Sequence, residues 1–434
     1  MKLSRHLNFY KYEVLILILF KYLLDYCYVY IQADVFGYVG YTIDNIPGRP
    51  VIAWCITIFS YYLLRYRDNN LYSLFVYIIY LISIVPFIVL YQYCSKVELW
   101  MVLVQVFFLF LMRVLLQDHN NKTLNVKYFV RYDNRNFRRI LFLFIFLYFL
   151  ILFAKSGVPS LESMLFENVY DTRAEAKFSL VMVIVQNFTC RIVIPLVLLI
   201  AIDEKKWLAV AFVSIVQIYT FAVTGFKTFL FIPLLMIGLR VMPSANLKNI
   251  IVAGLPGILG VGLLFYKISG NAMLAAIFSD RIFFLPAYIK YCYFDYFSEH
   301  ELVYYSQNSI AKILGVHSNY DTLVSYMIGN EYFDKPEMMT NTGFMADAYS
   351  NLGIFGIFLM SMILVVVIKY SKHRVDFMPE KLRASISAIF VLFFYTLNDG
   401  HVINVLFSIG MLFVVLIISV VDFSEKKHRF IKGK

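Results

Sequence analysis

The chain contains about twelve apolar runs, and they restrict its possible folds more than any other feature of the sequence. A helix needs roughly 20 apolar residues to cross the hydrocarbon core of a bilayer. Runs near this length recur along the whole chain, with polar segments between them. They lie at 13–31, 51–64, 71–91, 99–116, 140–154, 180–201, 207–223, 226–241, 250–266, 351–369, 384–397 and 402–422. The pattern predicts an all-α polytopic membrane protein, with residues 1–434 forming one integral membrane domain in the lipid bilayer.

The amount and placement of charge support this class. Charged residues make up 15% of the chain, against about 25% in a soluble domain. The net charge is +11, but two thirds of the 39 Lys and Arg residues fall at the two ends and in alternate loops. Membrane proteins concentrate such cations in cytoplasmic loops. We therefore expect both termini in the cytoplasm and no nucleic acid as a partner.

One polar stretch, residues 267–350, is too long for a simple turn between two membrane helices. Loops of this length are usually functional or disordered, and its many aromatic residues argue against disorder. With the termini inside, the stretch lies on the outer face, between the ninth and tenth spans. We expect it to form a folded external cap that carries the chemistry.

Four cations are candidates for binding an anionic substrate, because charge is costly in and beside the membrane core. They are Arg281, Arg191, Lys227 and Arg173. Arg281 begins a predicted aromatic helix, its neighbour Asp280 is expected to point elsewhere on that helix, and the planar fork of an arginine matches phosphate oxygens. Other interpretations remain open. Arg281 and Lys227 can instead anchor the chain at lipid headgroups, and Arg191 and Arg173 can instead pair with acids.

The remaining polar residues favour structural roles. Lys21 and Asp25 stand four apart in the first run, on one helical face, and can neutralise each other. Lone loop histidines are usually solvated, which is the simplest interpretation of His300, His317 and His401. The sequence has no HExxH, CxxC or DxD-like cluster, so we expect no metal and no other cofactor.

Two short motifs accompany the architecture. The turn TGFK, at 224–227, carries a cation between two mid-chain spans. The segment NTGFMADAYSNLGIFG leads from the large stretch into the next run. Its polar and glycine positions are Asn341, Gly343, Asp347, Asn351, Gly353 and Gly356. In these features the chain resembles the bacterial O-antigen and capsule repeat-unit polymerases (Wzy class), which are related to the O-antigen ligases. Many members have arginine where this chain has Lys227.

The resemblance implies a reaction and a location. The donor is a glycan on undecaprenyl pyrophosphate, and the acceptor is one oligosaccharide repeat unit on the same lipid. A sugar hydroxyl of the acceptor attacks the anomeric carbon of the donor, and the lipid pyrophosphate leaves. This occurs on the periplasmic face of the bacterial cytoplasmic (inner) membrane. A chain-length regulator and a flippase of the same pathway are the implied protein partners.

The resemblance also implies roles for residues. Cations must stabilise the leaving pyrophosphate, and a base should take the hydroxyl proton. The cations available for pyrophosphate binding are Arg281, Arg191, Lys227 and Arg173. The candidate bases, in decreasing order of preference, are Asp347, Asp280 and His317. The catalytic residues that we predict are Arg281, Asp347 and His317.

Two alternatives stay open. A flippase for lipid-linked glycans also has about twelve spans, but it needs no large outer loop and should have related halves. Another lipid-phosphate-sugar-dependent glycosyltransferase or a ligase often carries acids in its first outer loop, where this chain has Asp34 and Asp44.

Overall fold

The computed structural model describes residues 2–64, 70–117, 130–131, 135–159, 178–241, 247–308, 311 and 315–423. It is 79% helical with almost no strand, which confirms the all-α prediction. Arg173 lies outside the described residues.

Helices account for nearly all of the described chain. The first four are α1 (2–35), α2 (Arg49–Leu64), α3 (Leu71–Tyr93) and α4 (Leu99–Leu115). The next four are α5 (Arg135–Ser156), α6 (Leu180–Asp203), α7 (Trp207–Thr224) and α8 (Lys227–Val241). They are followed by α9 (Leu247–Ser269), α10 (273–299), α11 (Val324–Phe333), α12 (Phe344–Asp376), α13 (Glu380–Thr396), α14 (Val402–Leu406) and α15 (Met411–Val420). Two short strands, β1 (Val130–Arg131) and β2 (Val421–Asp422), pair in parallel.

Each predicted apolar run corresponds to one helix except the last, 402–422. Within the described chain, seven helices are long and apolar enough to cross a membrane, judged by length and composition: α1 from Tyr12 onward, α3, α5, α6, α7, α9 and α12. The other five runs correspond to shorter apolar helices, α2, α4, α8, α13 and α15. The last predicted run is divided, because Gly410 adopts a left-handed conformation between α14 and α15.

The chain divides into two compact units. The first comprises Met1–His119, Lys248–Lys369 and Phe394–Val402. The second comprises Asn120–Leu247, Tyr370–Phe393 and Ile403–Lys434.

Helix α3 is the centre of the first unit. Its sequence is apolar on all sides, and every residue of its 18-residue hydrophobic window is buried. A helix that is apolar all round needs neighbours on every face. It packs against α1, α2, α4 and α10.

Helix α10 takes part of the predicted cap into the core of the first unit. Residues 286–294 are all buried, packed against α3 and α11. Lys290 donates hydrogen bonds to the carbonyl and hydroxyl oxygens of Ser83 in α3 and to Gln105 in α4. The sequence places the segment PAYIKYCYF in the external cap, on a predicted aromatic helix. In the structure this segment is enclosed between helices.

Three helices contain a π-helical turn just before a proline. The turns are Tyr80–Ile84, Thr189–Val193 and Asp280–Phe284, followed by Pro86, Pro195 and Pro286. Proline has no N–H and its ring displaces the carbonyl four residues earlier, so it interrupts α-helical hydrogen bonding. Neighbouring side chains can satisfy the freed carbonyls.

The first unit contains two buried ion pairs. Lys21 Nζ lies 2.7–2.8 Å from both Asp25 carboxylate oxygens and 2.6 Å from Gln92 Oε1, which confirms the predicted neutralisation. Lys248 Nζ lies 3.2 Å from Glu13 Oε2 in α1. The second pair joins helices far apart in sequence and has no local signature.

In the second unit α6 and α7 pack together, with α5 and α8 beside them. Its core contains a polar cluster. The hydroxyl of Tyr148 lies 3.3 Å from Thr220 Oγ1 and 3.7 Å from Cys190 Sγ, and Gln217 Nε2 donates to the Cys190 carbonyl.

Candidate functional site

The start of α12 is held close to the segment that follows α13. Gly353 has φ +62° and ψ −149°, a conformation essentially restricted to glycine, and it breaks the helix. A Cβ at Gly343 would collide with the backbone of Asn398, and one at Gly356 with the preceding turn of α12. The fold therefore requires glycine at these three positions of the motif NTGFMADAYSNLGIFG. Gly343 is the glycine that lets the start of α12 lie against Leu397 and Asn398, where the N–H of Phe344 donates to the Leu397 carbonyl.

This contact pairs Asp347 with a histidine. His401 Nδ1 lies 3.1 Å from Asp347 Oδ1, with 47% of the histidine side chain and 17% of the aspartate side chain exposed. Asn351, one turn along α12, donates to the Asp347 carbonyl at 2.8 Å and to Asp347 Oδ1 at 3.3 Å. The carboxylate is therefore positioned from two sides, while the imidazole remains accessible. We call Asp347, Asn351 and His401 the Asp347 cluster.

The contact with Asp347 sets the pKa and the tautomer of His401. Burial alone would lower the pKa of the imidazole, but the hydrogen bond and the charge of Asp347 outweigh it, so the pKa is raised above its ordinary value. When Nδ1 donates to the carboxylate, the neutral ring has its lone pair on Nε2. A carboxylate that orients a histidine in this tautomer is the arrangement of a general base.

A strained turn packs against the same cluster. Tyr304 and Tyr305 have φ values of 54° and 57°, which are unusual for bulky residues. The N–H of Tyr304 donates to the Asn351 carbonyl at 3.1 Å, and that of Tyr305 donates to Asn351 Oδ1 at 2.7 Å. Strained backbone of this kind persists only where its surroundings hold it, and it is frequent at functional sites. Asn351 therefore connects the strained turn to Asp347.

Three buried polar atoms on the surrounding segments have no hydrogen-bond partner within the described structure. They are Tyr305 Oη, Thr342 Oγ1 and Asn398 Oδ1. Buried polar groups in proteins are nearly always hydrogen bonded. They lie on three segments around the Asp347 cluster, so they are available to form hydrogen bonds with a polar ligand bound there.

Arg281 belongs to a neighbouring segment. Asn398 Nδ2 donates at 3.4 Å to the carbonyl of Ile282, the carbonyl that Pro286 frees in α10. The same Asn398 backbone packs against Gly343. The π-helical turn that carries Arg281 therefore lies beside the two segments that carry Asp347 and His401.

The Arg281 side chain is 67% exposed, and its Nε lies 3.8 Å from Asp280 Oδ2. This loose contact corrects the expectation that Asp280 points elsewhere, because successive side chains are closer in angle on a π turn than on an α-helix. Asp280 itself is buried and accepts a 3.0 Å hydrogen bond from Tyr41. It is enclosed, whereas the guanidinium faces outward.

Two other predicted site residues, His317 and Arg191, lie in the first and the second unit respectively. His317 is exposed in the loop before α11, and the described histidine that contacts Asp347 is His401. In the second unit, Arg191 Nε donates to Asn187 Oδ1 at 3.2 Å, and its guanidinium lies 5.6 Å from the ring centre of Phe229. Its contacts thus include an amide of its own helix.

Lys227 begins α8, directly after the TGF turn, and its side chain lies outside the described structure. Gly225 has φ +66° and ends α7, which explains the glycine of that turn. This part of the motif is structural.

Sequence reasoning missed His401 as a functional residue. The sequence indicates a solvated position for His401, because a single loop histidine has no distinguishing pattern. Its partner lies in another helix, so only the fold brings the two together. The doublet YY at 304–305 likewise has no sequence signal for positive φ.

No family model, no characterised protein and no solved structure matches this chain. The resemblance to repeat-unit polymerases rests on the arrangement of the apolar runs and on the two short motifs.

Proposed function

We propose that the protein is a membrane glycosyltransferase that polymerises undecaprenyl-pyrophosphate-linked oligosaccharide repeat units into a surface polysaccharide, an O-antigen or a capsule. The observation that carries the proposal is that an exposed arginine, Arg281, lies on a segment adjacent to the Asp347–His401 pair. A glycosyl transfer from a lipid pyrophosphate needs a cation for the leaving group and a base for the attacking hydroxyl.

In the proposed reaction, the guanidinium of Arg281 holds the pyrophosphate of the donor lipid. Nε2 of His401 takes the proton from the attacking hydroxyl of the acceptor sugar. A bond forms between that oxygen and the anomeric carbon of the donor, and the bond from this carbon to the pyrophosphate oxygen breaks. Asp347 orients His401 and stabilises the imidazolium that results. The role of base thus moves from Asp347 to His401.

The remaining assignments follow from the resemblance. Arg191, Lys227 and Arg173 are proposed as further pyrophosphate-binding cations. The chain is proposed to cross the bacterial cytoplasmic membrane twelve times, with both termini inside and the Asp347 cluster outside. A flippase and a chain-length regulator are the proposed partners.

The topology can be tested by cysteine labelling. A cysteine introduced at Asn330, which is exposed at the end of α11, should react with an impermeant reagent in intact spheroplasts. A cysteine at Asn134 should react only after permeabilisation. Native Cys55 is exposed, so the labelling should use a Cys55→Ser background. Equal labelling of both positions in intact spheroplasts would contradict the twelve-span arrangement.

The function can be tested by deleting the gene and separating surface glycan by gel electrophoresis. We expect single repeat units on the surface acceptor, because export continues without polymerisation. Re-expression of the wild-type chain should restore the ladder of long glycans, and a His401→Ala chain should not. If no repeat unit reaches the surface, a flippase is the better assignment. If unlinked long polymer accumulates, a ligase is the better assignment.

A further inference from the structure

The second unit contains an open cleft that the proposed reaction does not use. Its volume is about 970 Å³, at the upper end of the roughly 300–1,000 Å³ of typical ligand sites. Apolar side chains of α5, α6 and α7 form its walls, namely Leu141, Phe142, Leu143, Phe146, Val197, Ile200, Ala201 and Ala209. The three helices are among those long and apolar enough to cross a membrane. The cleft therefore opens between candidate spans.

One end of the cleft is strongly basic. Arg135, Arg138 and Arg139 share one face of the first turn of α5, because residues three and four apart are neighbours on a helix. Lys206 lines the same end from the α6–α7 turn, and Glu204 is the carboxylate among the lining residues. This end carries a net charge of +3.

Glu204 is shared between two of these cations. It forms ion pairs with Arg138 and, at 2.7 Å, with Lys206. Arg135 and Arg139 are exposed. A single carboxylate cannot neutralise four cations, so the cleft combines a long apolar wall with surplus positive charge at one end. The sequence places that end on the predicted cytoplasmic side.

We propose that this cleft binds an anionic phospholipid, with the phosphate at Arg135 and Arg139 and an acyl chain along the wall formed by Phe142 and Phe146. Basic pockets between membrane helices on the cytoplasmic side are suited to anionic headgroups. A water-soluble anion would use the arginines but not the apolar wall. The wall and the charge together match one class of ligand that has both a phosphate and a hydrocarbon chain.

The test is native mass spectrometry of the purified full-length protein in a neutral detergent, titrated with phosphatidylglycerol or phosphatidylcholine. Wild-type protein should retain phosphatidylglycerol in preference to phosphatidylcholine. Arg135→Gln/Arg139→Gln should weaken phosphatidylglycerol binding roughly 25-fold, from about fivefold for each cation. The matched control is Lys369→Gln/Arg383→Gln, which removes the same charge from exposed residues that do not line the cleft. It should bind as the wild type does.

A gain-of-binding variant separates the proposal from misfolding. Glu204→Gln removes the competing carboxylate and should tighten phosphatidylglycerol binding by about fivefold. If the control variant Lys369→Gln/Arg383→Gln weakens phosphatidylglycerol binding equally, the effect comes from general surface charge and the proposal is overturned. Equal retention of phosphatidylcholine, or full displacement of the lipid by millimolar inorganic phosphate, would also overturn it.

Discussion

Arg281 and Lys290 are both cations of α10, yet the helix places them in contrasting surroundings. Lys290 is 1% exposed and directs its hydrogen bonds to Ser83 and Gln105. The side chain of Arg281 is 67% exposed and has one loose carboxylate contact. A cation whose donors are all occupied inside the protein can stabilise a fold but cannot accept a substrate. Arg281 faces outward on a segment adjacent to the one that carries the Asp347–His401 pair, so its donors are available to a substrate.

The pairs Lys21–Asp25 and Asp347–His401 differ in the same way, because the first is buried and the second is partly exposed. Lys21 is fully buried and also donates to Gln92. Half of the His401 side chain is exposed, and its Nε2 is not needed for the contact with Asp347. The comparison predicts that the enclosed groups govern folding and the open groups govern activity.

The largest effect should come from His401→Ala. Loss of a general base typically lowers a rate by about 10²–10⁴-fold. We expect this loss in chain extension, measured with purified protein and lipid-linked repeat units, while the amount of folded protein is unchanged. His317→Ala is the matched control, because His317 is exposed but does not contact Asp347. An inactive His317→Ala with an active His401→Ala would reverse the assignment of the base.

The next effect should appear in folding. Lys21→Met leaves Asp25 buried without its partner and should destabilise the protein by about 3–5 kcal/mol. The double variant Lys21→Met/Asp25→Leu should recover most of this loss, although Gln92 still loses a donor. Denaturant unfolding in detergent measures both. Specific activity per folded molecule should match the wild type, and a large drop in that activity would place this pair in the chemistry.

Arg281→Ala should reduce chain extension by about a hundredfold, the usual effect of losing one transition-state contact. Arg281→Lys should retain partial activity, because an ammonium cannot reproduce a two-oxygen contact. The readout is the rate with purified variants that accumulate normally. Wild-type rates for Arg281→Lys would support an interfacial anchor, since either side chain can extend to the headgroups.

The smallest effect is a shift in pH dependence. Asp347 raises the pKa of His401, so the neutral base forms only as the pH rises through a value above about 6.5. Asp347→Asn removes this effect and leaves burial, which lowers the pKa. The ascending limb of kcat/KM against pH should therefore move to lower pH in this variant, with a reduced maximum. An unmoved limb would exclude His401 as the titrating base.

The raised pKa of His401 also makes the stability of the folded protein depend on pH. The charged His401–Asp347 pair stabilises the folded protein fully below the unfolded pKa of histidine, and this contribution is lost as the pH rises through the raised folded value.

The sequence alone determined the helices and several local features. Length and hydropathy predict each apolar run as a helix, because an apolar segment in lipid must satisfy its own backbone hydrogen bonds. The spacing of Lys21 and Asp25 predicts their contact, since residues four apart share a helical face. Arg281 was correctly expected on a helix.

Only the tertiary structure decided which distant groups meet. Asp347 and His401 come together because Gly343 allows α12 to approach Asn398, and no local pattern encodes that approach. Lysine side chains are usually exposed, but α3 and α4 supply hydrogen-bond acceptors to Lys290 and make its burial possible. Local sequence specifies how a segment folds on itself. Which polar groups are enclosed and which stay open depends on the neighbours that packing provides.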